Sequence, residues 1–334
     1  MTFSSLALIF CLWLPGSARA ADTQVIKFAT LAPEGSTWLK VINDLNAELQ
    51  AKTEGRVRFK IYAGGVQGDE MDVVKKIRIN QLQAAGFTGV GLGQIAPEVR
   101  ILDAPWLFRD NAEADFIRQS FAKDLDGAIE KGGFVLLGWI DLGWVYVFSK
   151  KPINTPEDMK SSKMWVWEGD PIAQAAYKVL DVTPRPLSVV DVMSSLETGM
   201  VDGVYGPPMG VTALQWFRRT KYIYDVPMAD SAGAVLISRK ACDGLAPADR
   251  KALIETSAKH LKRLNLLSRR ENTEALVALQ HQGLLLSQKP TPETLKRYDE
   301  LGRQARRELA GKLYPAQLLE RVEAALAQRR TGRR

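Results

Sequence analysis

Thiols and imidazoles are scarce: the 334 residues include two cysteines and two histidines. Cys11 falls inside the apolar run 6–14, so the rest of the chain carries only Cys242. A single thiol makes no intramolecular disulfide, and the fold must rest on its core even in an oxidising compartment. Phe10, just before Cys11, is too bulky for the small residue a lipoprotein cleavage site needs, which argues against a lipid anchor. His260 and His281 lie 21 residues apart on one polar helical stretch. There is no H-E-x-x-H, no G-x-S-x-G, no cysteine cluster and no phosphate-binding loop. No nucleophile and base are assembled, so an enzyme is not expected and no cofactor is called for.

The apolar run 6–14 is too short to span a bilayer. Followed by Ala18-Arg19-Ala20, a small-x-small site ahead of Ala21, it makes residues 1–20 a secretory signal peptide and predicts a periplasmic destination. The chain is 46% hydrophobic and 25% charged, an ordinary globular balance with length for two lobes. A net charge of +7 raises the question of nucleic acid. Much of it, however, is Arg329, Arg330, Arg333 and Arg334, a tail expected to be disordered and without interleaved aromatics. No nucleic-acid partner is expected.

Residues 25–29 read as a strand, and the following helix places Trp38, Val41, Ile42, Leu45 and Leu49 on one buried stripe. The next strand, 56–62, alternates Val57, Phe59 and Ile61 with Arg58 and Lys60. A glycine-rich turn, 64–68, opens a helix with Asp69 as its expected N-cap. After a third strand, 83–88, comes Gly91-x-Gly93-x-x-Ala96, which has the form of a dinucleotide fingerprint. It stands third in the lobe and no ribose-binding acid follows, so a plain glycine-rich turn is expected. Residues 103–110 read as an apolar loop, 111–131 as a helix, 134–139 as a buried strand and 141–148 as an extended first crossing between lobes. Successive β-α units argue for a mainly parallel sheet with helices on both faces, and for a ligand site beyond the C-terminal ends of the strands.

The second lobe opens on residues 151–169, K-P-I-N-T-P-E-D-M-K-S-S-K-M-W-V-W-E-G. A short helix capped around Thr155 and Pro156 leads into a strand at 163–167. Alternation puts Trp165 and Trp167 on one face, which is then either core or a binding wall. Short elements follow at 170–180, 183–187, 189–198 and 201–205; residues 222–228 head back and 232–238 form a return strand. From Pro247 to about Gln282 no breaker interrupts a helix on the order of 50 Å long, enough to lie across both lobes. Helices at 292–311 and 315–328 finish the chain.

Five segments carry a family resemblance in order and spacing: F-A-T-L-A-P-E-G-S at 28–36, Y-A-G-G-V-Q-G-D-E at 62–70, D-A-P-W-L-F-R-D at 103–110, K-P-I-N-T-P-E-D-M-K at 151–160 and V-D-G-V-Y-G-P-P at 201–208. Together they resemble the solute-binding proteins of TRAP transporters, the DctP-type family. The resemblance implies a two-lobed α/β periplasmic-binding-protein fold with a long lobe-spanning C-terminal helix. Lobe I would comprise 21–142 plus about 230–268, lobe II 143–229 plus about 269–328, and 329–334 the basic tail. Such a receptor closes on a small solute, usually an organic acid, and delivers it to the small and large integral membrane subunits of a permease.

Members of that family carry an arginine in the strand after the K-P-I helix, which grips the substrate carboxylate bidentately. Here that position is Trp165. A second arginine, in the crossing strand, corresponds to Trp144; the asparagine after the V-D-G strand is replaced around Tyr205, and the aromatic before the next helix is Val189. With Trp167, these residues form the expected ligand wall. Burying one Trp removes roughly 150–250 Å² from water, roughly 4–6 kcal/mol, against about 1.5–3 kcal/mol for the lost Arg–carboxylate contact. Stacking can replace the arginine in affinity but not in charge selectivity. The expected ligand is an organic acid with an aromatic or extended apolar body, its acid group met by backbone donors, a helix N-terminus or Arg185. Glu34, Glu70 and Glu168, together with the tryptophans, offer the alternative of a cationic or neutral ligand. Glu34 and Glu70 could also hold a metal-bridged acid, although no metal is expected. Outside transport, the alternative is a sensor-input receptor on the same fold.

Overall fold

The computed structural model describes residues 23–332. The expected signal peptide, Arg333 and Arg334 lie outside them.

The first lobe follows the sequence pattern: β1 (Gln24–Ala29), α1 (Thr37–Lys52), β2 (Val57–Tyr62), α2 (Glu70–Arg78), β3 (Ala84–Thr88) and α3 (Gly89–Ile95). Ser36 Oγ accepts the Leu39 N–H at the start of α1, and the helical period turns Trp38, Ile42, Leu45 and Leu49 inward. The segment expected as a glycine-rich turn is the helix α3. Its glycines let it lie against β3, since a Cβ on Gly91 would sit 2.4 Å from the Phe87 ring. A 3₁₀ turn at Pro97–Asp103 leads to α4 (Asn111–Ser120) and α5 (Ala122–Lys131), which replace one expected helix. The break falls at Phe121, which leaves helical geometry and buries its ring in the core.

Two predicted segments on each side of the crossing prove to be single long strands. The first is β4 (Phe134–Ser149). The second lobe then runs β5 (Trp165–Trp167), α6 (Pro171–Val179), β6 (Arg185–Leu187), α7 (Val192–Thr198), β7 (Gly203–Gly206) and α8 (Pro208–Ala213). The second long strand, β8 (Tyr222–Ser238), returns to the first lobe, followed by α9 (Arg239–Asp243), the 35-residue α10 (Pro247–His281), β9 (Leu285–Leu286), α11 (Pro292–Leu309) and α12 (Ala316–Thr331).

The main sheet has the order β2-β1-β3-β8-β4-β7, with β9 beside β8; β5 and β6 pair separately and reach β7 through the Met164–Gly203 bridge. The β1–β2, β1–β3, β5–β6 and β8–β9 pairings are parallel, as βαβ units require. The three antiparallel pairings all include β4 or β8, which pair with each other from Phe134–Ser238 to Ser149–Tyr222 and so tie the lobes together. Along α10, Leu253, Leu261 and Leu264 pack in one lobe's core and Leu279 in the other's, so the helix lies across both.

The C terminus departs from expectation. Leu318, Leu319, Val322 and Leu326 of α12 join a core that holds Ile117 and Leu125 of α4 and α5 as well as Ile172 and Ala175 of α6. Arg329 and Arg330 are helical, not a disordered tail. Arg330 forms hydrogen bonds of 2.7 and 2.8 Å to the buried Glu113 carboxylate, and the Arg329 guanidinium lies 4.8 Å from the Phe116 ring centroid. A carboxylate that α4 buries needs a cation, and the end of α12 supplies it.

Candidate functional site

The two lobes enclose a cavity of about 560 Å³. The first lobe contributes the 30–38 segment, the end of β3 and the Pro97–Asp103 turn; the second contributes β5, α6 and the β7–α8 junction. Leu142, Val145 and Val147 of β4, residues 228–231 of β8 and Glu271 and Ala275 of α10 also line the cavity.

Trp165 and Trp167 lie on one face of β5 with ring centroids 6.0 Å apart, as alternation predicts. Trp165 donates through Nε1 to the Leu187 carbonyl at 3.0 Å, stacks on Tyr205 at 4.8 Å and meets the edge of Trp216 at 5.3 Å. It is 1% exposed yet lines the cavity, so core and wall are the same residue here. Tyr205, Trp167 and Val189 also line the cavity. The Tyr205 hydroxyl accepts the Trp167 N–H at 3.2 Å and donates to Asp170 at 3.1 Å. Burial, with Asp170 close by, raises its pKa well above the ordinary phenol value. Trp167 Nε1 and the Val189 N–H donate to Asp69, together with the Ser188 hydroxyl. Asp69 therefore stands at the N-cap position of α2 but makes no capping bond; its carboxylate is drawn across the cleft to these lobe II donors.

Glu70 lines the cavity, but both its oxygens are committed. It accepts from Thr88 N at 2.8 Å, Thr88 Oγ1 at 2.9 Å and Gly91 N at 2.7 Å, pinning the start of α3. Burial outweighs these donors and pushes its pKa up to about 7. Glu34 is exposed and off the lining, so the two carboxylates do not converge on one ligand or metal. Arg185, at the start of β6, is likewise exposed and outside the cavity.

Trp144 is not on the wall. The β4–β8 register shifts between Leu136 and Gly138, between Asp141 and Gly143 and between Val145 and Val147, and Val145 and Val147 line the cavity while Trp144 does not. Its indole donates to Asn111 Oδ1 at 2.8 Å and packs on the first core.

Apart from Glu70, the charged groups at the cavity were not singled out from sequence. Arg100, 3% exposed, pairs with Asp103 at 2.8 Å and with Asp170 of the other lobe at 2.9 Å. Burial opposes its charge, but the two carboxylates more than offset that and raise its pKa. Asp230 and Glu271 are further acidic residues on the lining, with Tyr177 and Trp216 beside them. The available signal was Arg100 itself, a lone cation inside the apolar run 99–107, which burial obliges to find partners.

A largely apolar cavity held between two α/β lobes joined by paired crossing strands defines a solute receptor, a protein that binds by enclosure. The chain belongs to the DctP family of bacterial extracellular solute-binding proteins, family 7, whose model matches residues 28–311. These are solute-binding proteins, not enzymes. The chain is 28% identical to the 2,3-diketo-L-gulonate-binding periplasmic protein YiaO of Escherichia coli K12 over 220 residues, 65% of this chain and 66% of that protein. It is 23% identical to the C4-dicarboxylate-binding periplasmic protein DctP of Rhodobacter capsulatus over 92% of both. In fold it is similar to the sugar acid binding protein DctPAm of Advenella mimigardefordensis in complex with galactonate, with a TM-score of 0.85, 18% identity and coverage of 92% of this chain and 99% of that one. A TRAP periplasmic solute-binding protein of Citrobacter koseri with bound D-glucuronate gives 0.81, 22% identity and coverage of 90% and 99%.

Proposed function

We propose that this chain is the extracytoplasmic receptor of a TRAP-type secondary transporter, capturing a small organic acid with an aromatic or extended apolar body and delivering it to the membrane subunits. The observation that carries this reading is the cavity wall. Where the family resemblance leads one to expect a carboxylate-gripping arginine, Trp165 lines a cavity of about 560 Å³, stacked on Tyr205 and flanked by Trp167 and Trp216. That volume suits one small molecule, and aromatic rings favour a flat or apolar body over a chain of hydroxyls. The named relatives bind 2,3-diketo-L-gulonate, C4-dicarboxylates, galactonate and D-glucuronate, and that kinship supports the acid group of the solute.

Native mass spectrometry of the receptor isolated from its producing cells, followed by thermal shift against aromatic acids, simple dicarboxylates, alcohols and amines, tests the proposal. The expected result is a solute with an apolar body whose binding Trp165→Leu weakens by at least about tenfold. Tight binding of succinate, unchanged by Trp165→Leu, would sink it.

A further inference from the structure

Among the described residues, five carboxyl side chains line the cavity, Glu70, Asp103, Asp170, Asp230 and Glu271, against one base, Arg100. Arg100 is already held by Asp103 at 2.8 Å and by Asp170 at 2.9 Å. Glu271, half-buried on α10, accepts the Thr37 hydroxyl at 2.5 Å, while Glu70 and Asp230 are each 2% exposed. Glu70 faces Asp69 and the donors of Thr88 and Gly91. Asp230 faces Asp141 of β4, Asp103, Arg118 of α4 at 3.9 Å and Arg269 of α10, and that last guanidinium is shared with Asp115 and Asp141.

A solute carboxylate enclosed here adds a sixth acid group opposite one cation that two carboxylates already neutralise. Enclosure removes the water that would screen it, so the like charges repel more strongly than in solution. The Trp38 indole N–H and the Tyr177 hydroxyl, buried on the same wall without a hydrogen-bond partner among the described residues, can hold the acid's oxygens but bring no charge. A proton on one of the lining acids offsets the added charge.

We propose that capture of an organic acid carries one proton from the medium into the cavity, shared between the carboxyls of Glu70 and Asp230, so that acid and proton are loaded together; this rests on the reading that the solute is an acid. Burial pushes both carboxyls up to about 7, with the neighbouring Asp141 adding to it at Asp230 and Asp69 at Glu70. Near pH 8 both are largely ionised in the free receptor, and an entering anion draws a proton back. Near pH 5 both already carry one.

Isothermal titration calorimetry of the full receptor in buffers of different ionisation enthalpy counts the protons taken up. The probes are benzoate, phenylacetate and indoleacetate, each tested beside the alcohol of the same body. Every acid that binds should take up about one proton at pH 8 and close to none at pH 5, with affinity falling by up to about tenfold per pH unit above pH 7, while its alcohol takes up none. Glu70→Gln or Asp230→Asn should lower the uptake. A bound acid that takes up no proton at pH 8, uptake undiminished at pH 5, or uptake that neither variant lowers overturns the proposal. Binding of the alcohols alone overturns the acid reading of the solute, and binding by neither series overturns its apolar body; both are failures of the earlier reading and are told apart from this one by the absence of any bound acid.

Discussion

Glu70 shows how one side chain can line a cavity and still belong to the scaffold. Its carboxylate takes three donors from Thr88 and Gly91, while burial pushes its pKa from 4.5 up to about 7. The folded chain therefore holds a proton there that the unfolded chain has released between pH 4.5 and 7, and stability from this group falls as pH rises through that window. Glu70→Gln removes the titration but sets an NH₂ group against a backbone donor, which costs about 1–3 kcal/mol. The variant should melt lower than the parent at pH 5, with the gap narrowing toward pH 7. Parallel melting curves across that range would show that Glu70 is not protonated there. Trp165 and Trp167 were legible from sequence because alternation along a strand needs no knowledge of the rest of the fold. Arg100, Asp170 and Asp230 were not, because their partners lie in other elements: Arg100 meets Asp170 seventy positions away and Asp103 only through the turn it helps to form.

At the level of elements, the βα order, the long α10 and the two crossings could be read from period and breakers, whereas the register shifts in β4 could not. They leave no mark on hydrophobic period except Gly143, which stands at one of them, and Trp144, expected on the wall, does not line the cavity. Gly143 has φ +102°, and a Cβ there would stand 2.5 Å from Asn272 Nδ2. That amide on α10 donates to the Leu142 carbonyl at 2.9 Å, while its Oδ1 accepts the Met209 N–H of α8 at 3.1 Å. One asparagine thus fastens a crossing strand, the spanning helix and the second lobe. Gly143→Ala should lower the unfolding free energy by on the order of 2 kcal/mol through backbone strain and the clash. Asn272→Ala should destabilise by losing two bridging hydrogen bonds. Because truncating Asn272 also removes the clash, the double variant should cost less than the two single losses combined. Strict additivity in denaturant titrations would mean that the two positions do not meet.

In the whole molecule, two polar ties join the lobes beside the solute cavity. Arg100 of the first lobe meets Asp170 of the second at 2.9 Å, and Asp69 of the first accepts from Trp167 Nε1, the Ser188 hydroxyl and the Val189 N–H of the second. Asp69 is 6% exposed and does not itself line the cavity, but two of the residues that donate to it, Trp167 and Val189, do. In an opened molecule water can replace every one of these partners, whereas in the enclosed form Asp69→Ala leaves three lobe II donors without an acceptor. Hydrogen bonds to a charged group contribute about 1.5–3 kcal/mol, so losing this set should shift the open–closed balance toward open by about tenfold or more. Apparent solute affinity falls by the factor by which the enclosed population falls. Spin labels on cysteines introduced at the exposed Lys75 and Lys160, one per lobe, report that balance by electron–electron dipolar distance, since Cys242 is buried and stays unlabelled. Asp69→Ala should move population to longer distances and weaken binding in step, with Asp69→Asn, which keeps one acceptor oxygen, falling between. A distance distribution that superimposes on the parent would remove Asp69 from closure and leave Arg100–Asp170 as the tie that holds the lobes together.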